Sequence, residues 1–161
     1  MTTRFVRYVA LAAVLATAAP VLAGSAKGTI VYKGTTATIT HAYLVKGPDA
    51  MDEKTIRRLV FTAGDLQPKL EACKAMSCTD GEVTEGMTLD LDGGPRVNYW
   101  VALKGQTVQY SGTAEPSTLA TTTDEPGHMV GTFAVDATGA GGPKVNVQFD
   151  APLLKEFTPA R

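Results

Sequence analysis

Both cysteines of the chain fall in one stretch, EACKAMSCTDG (71–81), with four residues between Cys73 and Cys78. Three chemistries could use such a pair. A thiol–disulfide redox centre is usually Cys-x-x-Cys beside a βαβ unit, whereas the spacing here is wider and no βαβ pattern flanks it. A structural zinc takes four ligands, and the only histidines, His41 and His128, are both distant in sequence. An exported chain meets oxidising surroundings in which two cysteines pair, and this N-terminus carries an export signal. The expectation is therefore a Cys73–Cys78 disulfide. It closes a short loop, for which loop-closure entropy supplies only about 2 kcal/mol. Such a bridge sets a local shape.

Other residues could do chemistry only in company. A hydrolase needs a nucleophile, a base and a group that orients the base, and the chain has no Gly-x-Ser-x-Gly elbow. His41 alternates with Ile39 and Tyr43, which predicts a buried or half-buried structural histidine on their face. His128 follows Glu125-Pro126-Gly127 and reads as the exposed end of a loop. Carboxylates pair at Asp90 and Asp92, and around Asp49, Asp52 and Glu53. Glycoside chemistry needs two carboxyl groups facing each other across a cleft, while same-face aspartates beside Gly93-Gly94 read as a solvated face and a turn. Soft copper ligands occur at His128-Met129, Met51, Met76 and Met87. They form no Met-rich run, and Met87 alternates with Leu89 as a core residue would. The expectation is no metal, no cofactor and no catalytic residue.

The elements that must position these residues follow a period of two. Strands are predicted at 28–33, 36–45, 56–62, 83–91, 97–103, 107–112, 130–137 and 144–151, with a further short one in AEPSTLATTTDEPG (114–127). One helix is predicted near 65–76, capped by Asp65, with Pro68 in its first turn and Leu66, Leu70 and Cys73 on one face. Val97, Tyr99, Val101, Val147 and Phe149 should face inward. Trp100 then points to the opposite face, either outward as a binding residue or covered by the helix or the long connection. Eight or nine short strands with frequent turns predict an all-β fold, an antiparallel sandwich or barrel.

The chain has 161 residues and begins MTTRFVRYVALAAVLATAAPVLAGS. Arg4 and Arg7 precede an apolar run of about a dozen residues, too short to span a bilayer comfortably. Small residues precede a cut after Ala23, the layout of a secretory signal peptide. Residues 24–161 then form a single β-rich domain with no transmembrane segment. They keep 13 basic and 16 acidic residues, a net charge of −3. No basic patch favours nucleic acid.

The segments THAYLVKGPDAMD, CTDGEVTEGMTLDLDGGPRVNYWVAL and GGPKVNVQFDAPLLKEF resemble a group of small exported bacterial proteins of unassigned function. That resemblance implies an all-β exported domain, periplasmic in a Gram-negative bacterium, and it brings no catalytic residues. Locally, CKAMSC is similar to the protruding disulfide loop of Ivy-type lysozyme inhibitors. In that family a histidine in the loop enters the lysozyme cleft, and here Met76 and Ser77 stand between the cysteines instead. The expected function is a non-enzymatic binding or interaction domain of the bacterial envelope, periplasmic or secreted. Its partner would be a protein or small ligand, met through Lys74, Met76, Ser77 and Trp100. The alternative is a periplasmic inhibitor or immunity protein that engages an envelope hydrolase through the 73–78 loop.

Overall fold

The computed structural model describes residues 24–49 and 54–158. Residues 1–23, expected to be an export signal, and three residues considered above, Met51, Asp52 and Glu53, lie outside the described residues. Among the described residues nine strands form one sheet: β1 (Ser25–Tyr32), β2 (Thr35–Pro48), β3 (Thr55–Thr62), β4 (Gly86–Leu91), β5 (Val97–Ala102), β6 (Tyr110–Ala114), β7 (Leu119–Glu125), β8 (His128–Asp136) and β9 (Lys144–Glu156). Their spatial order is β6-β5-β4-β3-β2-β1-β9-β8-β7, and neighbours in that order run antiparallel. The all-β expectation holds, and the sheet curls into a half-barrel. Among the described residues two short α-helices, not one, interrupt the strands: α1 (Gln67–Ala72) and α2 (Cys78–Glu82).

The curl buries one face against itself. Ile30, Leu44, Leu59, Phe61, Met87, Leu89, Val97, Tyr99, Val101, Phe133, Val147 and Phe149 form the inner core. All five positions predicted to face inward are in it. Phe61 and Phe149 meet at 5.1 Å between ring centroids and Tyr99 meets Phe133 at 6.0 Å, so the two wings of the sheet touch through aromatic rings. Burying such side chains stabilises the fold by roughly 1.5–3 kcal/mol each.

Strand β2 departs from simple alternation. Ala37 and Ile39 face the inner core, but so do Ala42 and Leu44, so the inward set changes parity between Ile39 and Ala42. The β1–β2 register shifts at the same place, between Ser25 and Gly28. His41 and Tyr43 consequently stand apart from Ile39, on the outer side of the sheet. A shift of one residue moves every following side chain to the other face, which the run of apolar residues could not reveal.

Strand β1 is shorter than its neighbours. Beyond its start the long strands β2 and β9 meet directly and pair in parallel from Leu44 to Lys46. Lys46 and Glu156 form an ion pair there at 2.9 Å. Gly47 lets Phe157 close over this junction, because a Cβ at position 47 would lie 2.8 Å from the Phe157 Cβ.

Candidate functional site

The outer face of β2, β3 and β5 is apolar where the helices cover it. Tyr43, Val60 and Ala102 pack against Leu70 of α1 and against Val83, while Val45, Ile56 and Phe157 pack against Cys73 and Met76. Helix α1 begins two residues later than predicted, with Leu66 and not Asp65 at its N-cap position. Pro68 occupies its first turn and Asp65 accepts a hydrogen bond from the Gln67 N–H at 2.8 Å. The Tyr43 hydroxyl donates to Asp65 at 2.7 Å and accepts from the Leu66 N–H at 2.9 Å. Burial and the Asp65 bond push the Tyr43 phenol up to about 12. The helix stops at Ala72, earlier than predicted, and the Cys73 N–H closes its last turn on Lys69 and Leu70 carbonyls.

Cys73 and Cys78 form a disulfide, with Cα atoms 5.6 Å apart. The bridge joins the end of α1 to the start of α2 and lies against the sheet. Lys155 of β9 donates to the Glu71 carbonyl at 2.6 Å and to the Cys73 carbonyl at 2.5 Å. Of the segment between the cysteines, Lys74, Ala75 and Ser77 are exposed. Met76 corrects the expectation of a contact residue: only 4 % exposed, it is the apolar plug that holds the segment down.

Beneath this cap lies a buried ion network that the strand pattern did not announce. Arg58 on β3 is 6 % exposed. It forks onto Asp90 of β4 at 2.5 and 2.8 Å, and reaches Asp80 and Thr79 of α2 at 2.9 and 3.0 Å. Burial disfavours its charge, yet the Asp90 and Asp80 carboxylates hold its pKa above the ordinary value. Burial pushes the Asp80 carboxyl up, and its attraction to Arg58 only partly offsets that. The dipeptide Arg57-Arg58 carried a signal. Adjacent strand residues point to opposite faces, so one arginine had to sit on the covered face and find partners there.

Trp100 lies on this same outer face, opposite Thr88 of β4 and Ser111 of β6. It is half-buried, with the Arg58 guanidinium carbon 5.8 Å from its ring centroid. The structure thus brings Trp100 and the stapled segment together through Arg58. Asp90 and Asp92 do not act as a pair. Asp90 serves Arg58 in the interior, while Asp92 sits in the β4–β5 turn and accepts two bonds from Arg57 at 2.7 and 3.1 Å. Those bonds hold the Asp92 carboxyl below its ordinary value.

Arg57 also bonds Asp124 of β7. Four strands separate β3 from β7 in the sheet, so this arginine spans the mouth of the half-barrel. A cleft of about 430 Å³ opens there, lined by Lys46, Ile56, Arg57, Asp92, Asp124 and Pro126. Its charged groups are already ion-paired with one another or with Glu156.

The histidines occupy separate places. His41 Nδ1 lies 2.8 Å from the Thr40 hydroxyl, and that hydroxyl donates to the Ala63 carbonyl at 2.7 Å. With the threonine proton so committed, the histidine is the donor in their contact. His128 Nε2 meets Asp150 at 2.6 Å on the exposed surface. Met87 and Met129 belong to the inner core. Among the described residues no three histidine, cysteine or carboxylate side chains gather as metal ligands would, and no helix is long and apolar enough to cross a membrane. Comparison with protein-family models, with curated proteins and with solved structures finds no match for this chain.

Proposed function

We propose that this chain is a non-enzymatic binding domain of the bacterial envelope, and that it meets its partner through the stapled cap and the adjoining Trp100. One observation carries the reading. A disulfide, a buried arginine network and a buried methionine all hold a single short segment whose Lys74, Ala75 and Ser77 remain exposed. Fixing a segment before binding lowers the entropy lost on binding. Charged groups near the mouth cleft are tied to each other, and the Thr40–His41 contact runs opposite to that of a nucleophile and its base. Both support a binding role over a catalytic one. The inhibitor alternative has less behind it, because Met76 is turned into the core and Lys155 of β9 ties down the Cys73 carbonyl.

Site-specific photo-crosslinking in envelope extracts tests the proposal. A crosslinker at position 74 or 77 should trap one protein or small ligand, and one at Thr122 on β7 should not. Equal labelling from all three positions, or none, rejects this surface. Export is tested separately: N-terminal sequencing of the periplasmic protein should begin at or near Gly24, and an intact Met1 at full abundance counts against it.

A further inference from the structure

The β1–β2 turn and the β5–β6 turn share an unusual feature. Each has a lysine followed by a glycine, both in the left-handed region: Lys33 and Gly34 at φ 46° and 74°, Lys104 and Gly105 at φ 57° and 70°. Tight hairpins with two positive φ angles favour Asn-Gly or Asp-Gly. An L-residue with a long side chain is strained at such a position, and strain of this kind concentrates where a side chain is used. Of the three non-glycine residues at positive φ among the described residues, Asp92 lies in the β4–β5 turn and is paired with Arg57, whereas Lys33 and Lys104 both line one groove.

That groove has a volume of about 490 Å³ and is lined by Tyr32, Lys33, Thr35, Lys104, Gln106 and Gln109. No carboxylate lines it, and neither lysine has an ion-pair partner among the described residues. Lys33 instead rests its ammonium 5.2 Å from the Tyr32 ring centroid. The floor is rigid, since Tyr32 packs on Tyr110 at 5.5 Å and Tyr110 on Tyr99 at 5.9 Å. Gln109 donates its side-chain amide to Gln106 at 2.6 Å. This leaves the Gln106 amide protons and the Gln109 carbonyl oxygen for a ligand, beside the Thr35 hydroxyl.

We propose that this groove is a binding site for an anionic sugar. The two unpaired ammonium groups take the negative group, and the glutamines and Thr35 exchange hydrogen bonds with hydroxyls. Its volume lies in the range of small-molecule sites, about 300–1,000 Å³. None of the cap residues lines it, so it stands or falls independently of the surface proposed above. The charge could be a carboxylate or a phosphate.

The test is an amide-resolved NMR titration of the mature protein with glucuronate, glucose 6-phosphate, glucose and inorganic phosphate. At least one of the two anionic sugars should give saturable shifts in residues 32–35 and 103–109, with a Kd at or below about 1 mM. It should bind at least tenfold tighter than glucose or inorganic phosphate, and the preference between glucuronate and glucose 6-phosphate identifies the anionic group. The double variant Lys33→Asn, Lys104→Asn should lose at least tenfold in affinity while its Tm stays equal or rises, since asparagine tolerates the left-handed region better. The proposal fails if neither anionic sugar saturates, if glucose or inorganic phosphate binds as tightly, or if the double variant binds unchanged.

Discussion

Arg58 shows how much one buried charge determines. Its Nε and Nη2 serve Asp90 while Nη1 is shared among Asp80, Thr79 and the Met76 carbonyl, which joins the sheet to both ends of the 76–80 segment. Removing one partner of a buried ion pair strands the other, which costs about 3–5 kcal/mol. Arg58→Ala should therefore lower the urea midpoint by that equivalent, and the pair Arg58→Met, Asp90→Leu should recover much of the loss. Carboxylates on the two faces of the sheet should respond oppositely to pH. Asp92 is depressed by Arg57, so its contribution is present above the unfolded value of about 3.9 and is lost as pH falls through its lower folded value. Asp80 is raised by burial, so the folded state binds its proton more tightly and stability declines as pH rises from about 3.9 through the folded value. In urea midpoints measured against pH, Asp92→Asn should flatten the acid-side loss and Asp80→Asn should flatten the decline above it. Both carboxylates are part-exposed, which keeps the Asp92 effect under about 1 kcal/mol.

At the scale of elements, the cap is the part whose existence depends on its surroundings. Helix α2 spans Cys78-Thr-Asp-Gly-Glu82, a sequence of weak helix formers. It is held by the disulfide at its start and by Arg58 at Thr79 and Asp80. Replacing both cysteines with serine should leave the domain folded and cost roughly 2 kcal/mol by chemical denaturation, because the closed loop is short. Amide exchange should quicken in 73–82 and stay unchanged in β8. Loss of binding beyond that stability change would tie the cap's shape to its partner. Helix α1 was legible from Asp65, Pro68 and the spacing of Leu66, Leu70 and Cys73. Helix α2 was not predicted, because Thr79-Asp80-Gly81 carries turn residues and no apolar period. Strand β7 was equally faint: an edge strand of mostly exposed threonines leaves little alternation to detect.

The whole molecule is a sheet that folds its own two wings together. Among the described residues β6 and β7 remain its edges, yet aromatic contacts inside and Arg57–Asp124 at the mouth draw the wings together. Phe149 sits at the centre of that contact, 4 % exposed. Phe149→Ala should destabilise the domain by about 3–5 kcal/mol in urea unfolding. A change below about 1 kcal/mol would mean that the wings do not rely on this ring. Asp124→Ala tests the rim instead. It should speed amide exchange in β7 while altering global stability by less than about 1 kcal/mol, because the pair is part-exposed.

Residues such as Val145, Val147 and Phe149 announced their strand and its inward face through strict alternation, which is a local property of an extended chain. Turn residues set most strand ends, and the two cysteines were close enough in sequence for their bond to be inferred from compartment and spacing. Local pattern also misled where a long-range contact intervened. The parity change in β2 depends on how β1 pairs with it, so His41 parted from Ile39. Met76 was read as an exposed contact and is a core residue because helix α2 and Phe157 enclose it. Sequence pattern shows which side chains share a face, whereas only the curled sheet decides which faces meet. That meeting placed Arg57 across the mouth, buried Arg58 beneath the cap, and set two hairpin lysines on a single groove.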